Sequence, residues 1–447
     1  MRSLLLVALA AAVVFIPLRS IGMDMSNKRF VTPMMFGAVG DGISDDTYAL
    51  QLAIDNATRI DLDGKKYRTT STLTIPSNRI VRGKNGIIIS ESRDIAMKVI
   101  GQNISLSNFE LDGSNSTSHG IFLTSKASSV ELKGLDIHHF MGTENDQANG
   151  IYCASGARKF RITGCKISEI DAPQNGQVGD IYGSCQGILV MKVSDCTIDN
   201  CTFEDVSSME DGDCIQVYAG KTGVNRWDVS DVKIIRCNFY NIWHRAIKIQ
   251  ASGCTISDCI VNSDITRRPI RAFGIIGDNC VVEGCYCSLA YAIHAIVIVG
   301  DKNVVRNNAL SIDLDKTFTA ELAKQNADVI YCLGEGCLIK GNKISGSYLG
   351  IFSPNPGNNL TISKNTIQHS VLRGIRIYGN GNNTIYITDN IIQNCDIGIE
   401  LTPGPGVRIQ NNEFANSRYM MNVLGKENTC VMSKNKSNGL KTHISAN

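Results

Sequence analysis

The fold of this chain is decided by a short repeating phrase, and one copy of it reads GILVMKVSDCTIDNC at residues 187–201. The phrase opens with a small residue, an apolar residue, a residue of any kind and a second apolar residue. A further apolar run follows within a few residues and ends in Cys or Asn. The apolar residues alternate with a period of two, which indicates strands and not helices.

The phrase recurs along the chain in steps of 21 to 37 residues. Self-similarity at such a period is the mark of a solenoid, in which each repeat stacks on the one before it. The eleven copies begin at Gly120, Gly150, Gly187, Cys214, Ala246, Ala272, Ala295, Val329, Gly350, Gly374 and Gly398.

The end of the second run gives an independent check on this register. Parallel strands stack about 4.8 Å apart, so identical side chains meet in neighbouring coils, and Asn amides can hydrogen-bond along the stack. About eleven such coils predict a rod on the order of 50 Å long. The Cys and Asn positions are Cys165, Cys201, Cys237, Cys259, Cys285, Asn308, Asn342, Asn365, Asn390, Asn412 and Asn435.

The repeat resembles that of the pectate-lyase superfamily, whose fold is a right-handed parallel β-helix. A second motif, FGAVGDGISDDT at residues 36–47, resembles the opening motif of the same superfamily. That superfamily includes polysaccharide lyases, polygalacturonase-type glycoside hydrolases and phage tailspikes. The resemblance implies an all-β, single-stranded right-handed parallel β-helix with a short N-terminal capping helix. Gly40 and Gly42 allow a tight turn there, so we interpret the acidic motif as structural and not catalytic.

The chain is predicted to contain four segments. Residues 1–22 combine Arg2 with an apolar run and small residues, the pattern of a signal peptide; a hydrophobic anchor is the alternative. Residues 33–90 form the cap and first coils, 91–436 the β-helix and 437–447 a C-terminal tail. A signal peptide predicts a secreted or cell-surface protein without stable membrane contact after its removal, whereas a tailspike would belong to a virion.

The composition limits which partners the protein can bind and indicates what the cysteines do. A net charge of +2 is close to balance, which argues against binding to nucleic acid. Sixteen cysteines in a secreted chain ordinarily suggest disulfides. Here they occupy columns where other coils carry Asn, Val, Leu or Ile, so we predict buried free thiols that act as small hydrophobic residues.

Two columns of residues in the repeat face outward. The first column consists of the residue just before each phrase, and the second of the residue between the two inward-facing residues of each phrase. In the middle coils these columns carry charged residues, and in the coils on either side they carry aromatic residues. This layout is typical of a groove for a sugar chain, although a solvated sheet face also collects charges. The first column is His119, Asn149, Gln186, Asp213, Arg245, Arg271, His294 and Asp328. The second is Phe122, Tyr152, Leu189, Gln216, Lys248, Gly274, Val297, Tyr331, Phe352, Arg376 and Glu400.

Long insertions all precede neighbouring phrases, and this favours a groove. Loops on one edge of a rigid rod build the walls of a cleft, and functional loops are commonly carried in this way. The insertions span residues 138–149, 171–186, 206–213, 263–271 and 312–328.

One local match points to hydrolysis. Asp211-Gly212-Asp213-Cys214, followed by His244, resembles the pattern of polygalacturonase-type glycoside hydrolases, in which paired carboxylates serve as acid and base. One of the family's adjacent aspartates falls on Gly212, so Asp211 would have to take its place.

A second match points to elimination. Residues 267–274, RRPIRAFG, resemble the arginine-proline-arginine segment of pectate lyases, in which an Arg acts as base beside a calcium-bound uronate. Arg245 and Lys248 lie in the preceding coil, where that family also places a cation. Elimination needs a cation to neutralise the uronate carboxylate and a base for its C5 proton. Calcium binds six or more oxygens, and the acidic candidates for it are Glu210, Asp211 and Asp213.

These patterns predict an enzyme that cleaves an acidic, uronate-containing polysaccharide, with β-elimination favoured because five cations crowd the central coils. Glycoside hydrolysis through Asp211 and Asp213, uronate epimerisation, and a non-catalytic polysaccharide-binding surface protein remain alternatives. Calcium is the one cofactor considered, and the protein is expected to be a monomer, or a homotrimer if it is a tailspike. The predicted catalytic residues are Asp213, His244, Arg245, Lys248 and Arg271. The predicted substrate-binding residues are Tyr152, Asp211, Gln216, Tyr218, Arg267, Arg268, His294 and Tyr331.

Overall fold

The computed structural model describes most of the chain from residue 29 onward. The segment predicted as a signal peptide or anchor lies outside the described residues. In the part of the chain that is described, no helix is both long enough and apolar enough to cross a membrane. The described ranges are 29–143, 146–172, 184–207, 212–222, 226–228, 230–263, 271–290, 292–313, 327–378, 383–402, 404–425 and 430–445.

The repeating phrases form a stack of 15 parallel strands, which we call the groove sheet. Eleven of its strands are the predicted phrases, and four more extend the stack, two at each end. The last of these lies in the segment predicted as a C-terminal tail and pairs with the strand Tyr419–Leu424. The strands are β4 (Leu73–Ile75), β6 (Ile95–Val99), β8 (His119–Leu123), β11 (Ala148–Cys153), β14 (Cys185–Met191), β17 (Gly212–Tyr218), β22 (Arg245–Gln250), β25 (Arg271–Ile275), β28 (His294–Ile298), β31 (Asp328–Cys332), β34 (Leu349–Ser353), β37 (Arg373–Ile377), β40 (Ile397–Leu401), β43 (Tyr419–Leu424) and β45 (Thr442–Ser445).

The rest of each coil forms a second assembly of 28 strands, which we call the back sheet. Most coils contribute two strands to it, and each strand pairs in parallel with its equivalent in the next coil. The strands are β1 (Asp41–Asp45), β2 (Arg59–Asp61), β3 (Lys66–Thr69), β5 (Ile80–Ser90), β7 (Gln102–Asp112), β9 (Ser128–Lys133), β10 (Asp136–Met141), β12 (Arg158–Thr163), β13 (Lys166–Asp171), β15 (Ser194–Asp199), β16 (Thr202–Ser207), β20 (Val232–Ile235), β21 (Asn238–Tyr240), β23 (Thr255–Ser257), β24 (Ile260–Ser263), β26 (Val281–Glu283), β27 (Tyr286–Ala290), β29 (Val304–Arg306), β30 (Ala309–Asp313), β32 (Leu338–Lys340), β33 (Lys343–Gly346), β35 (Leu360–Ser363), β36 (Thr366–Gln368), β38 (Ile385–Thr388), β39 (Ile391–Gln393), β41 (Val407–Gln410), β42 (Glu413–Ala415) and β44 (Val431–Ser433).

A two-stranded antiparallel hairpin, β18 (Lys221–Thr222) and β19 (Arg226–Trp227), interrupts one coil. Elsewhere the coils repeat closely, and their spacing of about 4.8 Å gives the 15-stranded stack a length of about 70 Å. The solenoid predicted from the period of the phrase is therefore confirmed, and it is longer than the eleven phrases indicated.

The interior is one continuous hydrophobic core built from stacked columns. The first inward-facing residue of each phrase pairs with its equivalent in the next coil, as in Ile151 with Ile188 and Ile188 with Ile215. All three side chains are buried. Two aromatic rings of the back sheet, Phe203 and Phe239, stack with centroids 5.0 Å apart and nearly parallel planes. Burial of apolar surface all along the rod is what stabilises it.

The predicted Asn column forms a hydrogen-bonded ladder inside the rod. The amide of Asn342 donates to Oδ1 of Asn365 at 3.0 Å, and the amide of Asn365 donates to Oδ1 of Asn390 at 3.0 Å. Each Oδ1 also accepts the backbone N–H of the preceding Asn, for example Asn342 N to Asn365 Oδ1 at 2.9 Å. The ladder thus satisfies polar backbone groups that the turn would otherwise bury without partners.

The cysteines are buried free thiols, as their columns predicted. All sixteen are free; fifteen are buried and Cys430 is half-buried. Several donate weak hydrogen bonds to carbonyls of the coil beneath, such as Cys201 Sγ to the carbonyl of Ile162 at 3.7 Å. They fill the interior as small apolar residues.

The opening motif folds into a cap over the N-terminal end. A 3₁₀ turn, Pro33–Phe36, leads through a tight turn at Gly40 and Gly42, both at positive φ, to the helix α1 (Thr47–Asn56). Asp46 holds this turn by accepting the N–H of Gly40 at 3.0 Å. The buried face of α1 joins the main core, so the acidic residues here shape a cap that covers the open end of the solenoid.

Candidate active site

The register of the groove sheet aligns both predicted outward columns. In the first column, Asp213 pairs with Arg245, Arg245 with Arg271, and Arg271 with His294. The next pair in that column is His294 with Asp328. Because successive strands lie about 4.8 Å apart, these five residues form one row across the middle coils.

A buried carboxylate anchors the cations at the centre of this row. Asp213 is 0% exposed, and its Oδ1 accepts the Nε–H of Arg245 at 2.5 Å. Lys248 Nζ lies 3.8 Å from Asp213 Oδ2, and His244 Nδ1 lies 3.7 Å from Oδ1. Three of the predicted catalytic residues therefore converge on the fourth.

The charge state of Asp213 follows from these neighbours. Burial disfavours its ionised form, but His244 and the charges of Arg245 and Lys248 outweigh that effect and lower the pKa of the carboxyl. Asp213 is consequently an ionised anchor beneath the groove floor. The ionised carboxylate holds the side chains of Arg245 and Lys248 in place.

Gly274 opens space above the anchored cations. It faces Lys248 in register, and a Cβ built on it would lie 3.6 Å from Cδ of Arg271 and 3.7 Å from Cδ of Arg245. Both arginine side chains therefore pass over the position that a larger side chain would occupy. Arg271, the fifth predicted catalytic residue, is brought to the same place as the other four.

Aromatic residues flank the cationic centre on both sides along the second column. Tyr152 makes an edge-on contact with Phe122 at 4.9 Å, and Tyr331 makes one with Phe352 at 5.7 Å. Tyr152 and Tyr331 each lie three strands from Lys248, or about 14 Å. Aromatic faces and edges of this kind pack against the apolar faces of sugar rings.

Gln216 and Tyr218, two of the predicted substrate-binding residues, lie on the strand next to the one that carries Arg245 and Lys248. Gln216 pairs in register with Lys248, and its amide donates to Oε1 of Gln250 at 3.0 Å. Tyr218 faces Gln250 and is half-buried. Leu189 lies between Gln216 and Tyr152 in the second column, so Gln216 is two strands from that aromatic residue.

A His–Asp pair lies on the other side of Arg271. His294 Nδ1 is 2.9 Å from Oδ1 of Asp328, whose side chain is 0% exposed. Burial raises the pKa of Asp328 to about 6, although its contact with His294 opposes that rise. The ring of His294 lies 5.2 Å from that of Tyr331, so this pair joins the cationic centre to an aromatic flank.

A second His–Asp pair lies at the N-terminal end of the first column. His119 Nε2 is 3.3 Å from Oδ2 of Asp146, and His119 Nδ1 is 3.2 Å from the amide nitrogen of Asn149. Burial lowers the pKa of His119, and Asp146 partly offsets this. The insertion that carries Asp146 therefore reaches the groove, as its position before a phrase predicted.

The C-terminal coils carry a compact charged network in the same columns. Glu400 Oε2 accepts hydrogen bonds from Arg373 at 3.0 Å and Asn422 at 2.9 Å, and its Oε1 lies 3.0 Å from Arg376 and Tyr378. Burial disfavours the ionised form of Glu400, but these donors outweigh it and lower its pKa. All four partners saturate Glu400, which fixes the end of the groove.

The predicted calcium site rests mainly on residues outside the described ones. Glu210 and Asp211 lie outside the described residues, as do the predicted substrate contacts Arg267 and Arg268. Calcium requires six or more oxygens, and only Asp213 of the three acidic candidates is described, so calcium binding stays a prediction. We derive no step through calcium.

Some site residues were visible in the sequence only as members of a column. The sequence pattern placed Asp328, Arg376 and Glu400 in the correct columns. It did not indicate that Asp328 contacts His294 or that Arg376 contacts Glu400. Asp146 lies in an insertion and had no periodic signal. Its contact with His119 depends on how that loop folds.

A family model described as a right handed beta helix region matches residues 311–437. The fold is a right-handed parallel β-helix. A curated relative, the capsule K30/K69-specific depolymerase of Klebsiella phage K64-1, is 51% identical over 57 residues. That match covers 12% of this chain and only 7% of the length of the relative.

Solved structures share the fold at low identity. PfbA, a surface adhesin of Streptococcus pneumoniae, aligns with a TM-score of 0.55 and 13% identity over 82% of this chain and 90% of that one. The N-terminal fragment of bacteriophage Phi29 gene product 12 has a TM-score of 0.52 and 14% identity, over 93% and 71%. A mannuronic acid specific polysaccharide family 6 lyase from human gut microbiota has a TM-score of 0.51 and 13% identity, over 87% and 86%.

Proposed function

We propose that this protein cleaves an acidic, uronate-containing polysaccharide by β-elimination in the groove. The observation that carries the proposal is the buried, ionised Asp213 that holds Arg245 and Lys248 at the groove centre. Arg271 adds a further cation from the next strand. Three cationic side chains gathered on neighbouring strands suit a polymer bearing a carboxylate on each sugar.

The chemistry assigns separate roles to the central residues. Arg245, Lys248 and Arg271 neutralise the uronate carboxylate, and this makes the adjacent C5 proton acidic enough to leave. A base takes that proton, a double bond forms between C4 and C5, and the glycosidic oxygen departs with the electron pair of its bond. Guanidinium groups stay protonated in proteins, so we assign the base to His244, whose imidazole lies beside the cations, 3.7 Å from Asp213, and belongs to the residue type that most often transfers protons in enzymes.

Hydrolysis is less well supported by the described part of the groove. Glycoside hydrolases place two carboxyl groups about 5–9.5 Å apart. Asp213 and Asp328 lie four strands apart in one column, or about 19 Å, and Asp213 is ionised and lies within 4 Å of nitrogen atoms of His244, Arg245 and Lys248. Hydrolysis through Asp211 and Asp213 is therefore the alternative outcome of the test below.

The aromatic residues beside the cations and the similar proteins support a proposal about the substrate and about where the protein acts. Tyr152 and Tyr331 provide stacking surfaces on either side of the cations, which suits a chain of several sugar rings. A short segment is shared with a phage capsule depolymerase. We propose that the protein acts outside the cell or on a virion, where such polymers are found.

Single substitutions in the groove test this proposal. Lys248→Met, Arg271→Met and His244→Gln should each lower turnover about 10²-fold or more on a uronate polymer that the parent protein cleaves. Arg306→Met on the back sheet is a matched control, because Arg306 pairs with an exposed carboxylate, that of Glu283, far from the groove. Turnover is followed by the ultraviolet absorbance of unsaturated products together with reducing ends.

Three outcomes would contradict the proposal. Saturated products with reducing ends would indicate hydrolysis. Exchange of the C5 hydrogen without chain cleavage would indicate epimerisation. Polymer that binds through Lys248 and Arg271 but is never cleaved would indicate an adhesin.

A further inference from the structure

A cluster of two histidines and three carboxylates lies on the back sheet, outside the groove. His138 and His139 belong to β10, and they contact carboxylates from the strands on both sides. Glu110 and Asp112 lie on β7, and Glu169 lies on β13. The five side chains therefore span three successive coils of the rod.

The backbone explains why adjacent histidines face the same way. Neighbouring residues of a regular strand point to opposite faces. His139 has φ of +58°, a left-handed conformation that His adopts more readily than most residues. This bend places His138 Nδ1 and His139 Nδ1 2.7 Å apart.

Both imidazoles are oriented by a carboxylate on the opposite ring nitrogen. His138 Nε2 lies 3.2 Å from Oε1 of Glu110, and His139 Nε2 lies 2.7 Å from Oε2 of Glu169. A carboxylate partner keeps the proton on Nε2, as in the carboxylate–histidine–metal arrangements of proteins. In this tautomer both Nδ1 atoms present their lone pairs to each other.

A third acceptor faces the same point. Oδ1 of Asp112 lies 3.2 Å from His139 Nδ1 and 3.9 Å from His138 Nδ1. The carboxylate is held there by the N–H of Ser114, which donates to Oδ1 at 2.8 Å. Three lone pairs thus converge, and a cation between them removes the repulsion.

The spacing of these three atoms matches the ligands of a small metal ion. The Nδ1 atoms of His138 and His139 and the Oδ1 atom of Asp112 form a triangle with sides of 2.7, 3.2 and 3.9 Å. The circle through these three atoms has a radius of about 2.0 Å. An ion with bonds of about 2.1 Å, the length of zinc–nitrogen and zinc–oxygen bonds, would lie about 0.7 Å above that circle. This is the position of the metal above one face of a tetrahedron.

We propose that Asp112, His138 and His139 bind a divalent transition-metal ion of the zinc class. Two imidazoles and a carboxylate are a donor set that zinc accepts, and a water molecule would complete the tetrahedron. The ion would join β7 to β10, while Glu110 and Glu169 orient the histidines. Its role is to fasten the N-terminal coils together, independently of the reaction in the groove.

Zinc titration of the metal-free protein tests the site. The protein is stripped with a chelator, and zinc uptake is measured by competition with a chromophoric chelator and by thermal unfolding. The parent protein should bind one tight equivalent and unfold at a higher temperature with zinc. His138→Gln and His139→Asn should each lose this equivalent, with at least about a 100-fold drop in affinity, and Asn tolerates the left-handed backbone. Glu169→Gln should weaken binding about 10- to 100-fold.

His369→Asn is the matched control, because His369 is exposed and has the same φ of +58°. It should bind zinc as the parent does. Cobalt in place of zinc should give the strong visible absorption of tetrahedral coordination. The proposal is overturned if the metal-free parent binds no tight zinc, which would assign a shared proton to the two Nδ1 atoms. It is also overturned if both histidine variants bind zinc as tightly as the parent.

Discussion

At the scale of single residues, two buried carboxyl groups of the groove sheet have pKa values shifted in opposite directions because their neighbouring groups differ. Asp213 has three nitrogen groups within 4 Å, two of them permanently positive, and its pKa is lowered. Asp328 has the one imidazole of His294 at 2.9 Å, and burial raises its pKa to about 6. Desolvation dominates where the compensating charge is weak.

Asp213 should stabilise the fold at neutral pH. A carboxyl with a lowered pKa contributes stability above its unfolded pKa, and this contribution is lost as the pH falls through its folded pKa. Asp213→Asn removes the buried negative charge that Arg245 and Lys248 contact, so the free energy of unfolding should fall by about 3 kcal/mol at pH 7. Denaturant titrations at pH 7 and in strong acid should show a difference from the parent that shrinks in acid. An equal difference at both pH values would show that Asp213 is not the ionised anchor.

Asp328 should show the opposite dependence on pH. A folded pKa of about 6 means that the protonated form favours the folded state below the unfolded pKa, and that this stability is lost as the pH rises from about 4 through 6. The loss amounts to at most about 3 kcal/mol. Asp328→Asn has no such carboxyl, so its free energy of unfolding relative to the parent should rise between pH 4 and pH 7. A flat difference over that range would contradict the assigned pKa.

At the scale of the strand and the turn, we expect the Asn ladder to stabilise the fold. Asn365 accepts the backbone N–H of Asn342 and donates to the carbonyl of Ile339 at 3.0 Å. Asn365→Ala leaves these buried groups without partners, which should lower the free energy of unfolding by about 1–3 kcal/mol. The neighbouring, partly exposed Thr366→Ala is the control and should change it by less than about 0.5 kcal/mol. Equal effects of the two substitutions would show that the ladder is not a stabilising element.

The same scale shows what a repeating pattern predicts and where it stops. The period of two placed Asp213, Arg245 and Arg271 in one outward row, and the structure aligns them. It did not include the two strands at each end of the stack, such as Leu73–Ile75. The contact between His138 and His139 has no signal in the pattern, because alternation does not encode the left-handed backbone of His139.

At the scale of the whole molecule, the core of the rod encloses nearly all of the cysteine thiols. Fifteen of the sixteen cysteines are buried, and burial raises the pKa of Cys196 to about 12 and that of Cys395 to about 11. Because the thiolate is the reactive form, Cys430 alone should react with a thiol reagent in the folded protein, and all sixteen should react after denaturation. Mass spectrometry of the labelled protein gives the number of labelled cysteines in the folded and in the denatured state. Rapid labelling of several column cysteines in the folded protein would contradict the continuous core.

The whole rod also separates three regions along and around its length. The groove sheet carries the cationic row between aromatic flanks, the back sheet carries the histidine and carboxylate cluster, and α1 covers the N-terminal end. A change in one region should therefore leave the others intact, provided that the core between them is untouched. This separation allows the groove and the proposed metal site to be tested independently.

The central claim, that the groove cleaves by elimination, is tested most directly by running the reaction in water enriched in heavy oxygen. Elimination breaks the glycosidic bond without adding water, so the products should carry a double bond and no heavy oxygen. Loss of these products in the Lys248→Met and His244→Gln variants would tie the reaction to the groove. Saturated products with one heavy oxygen for each bond cleaved would contradict the account.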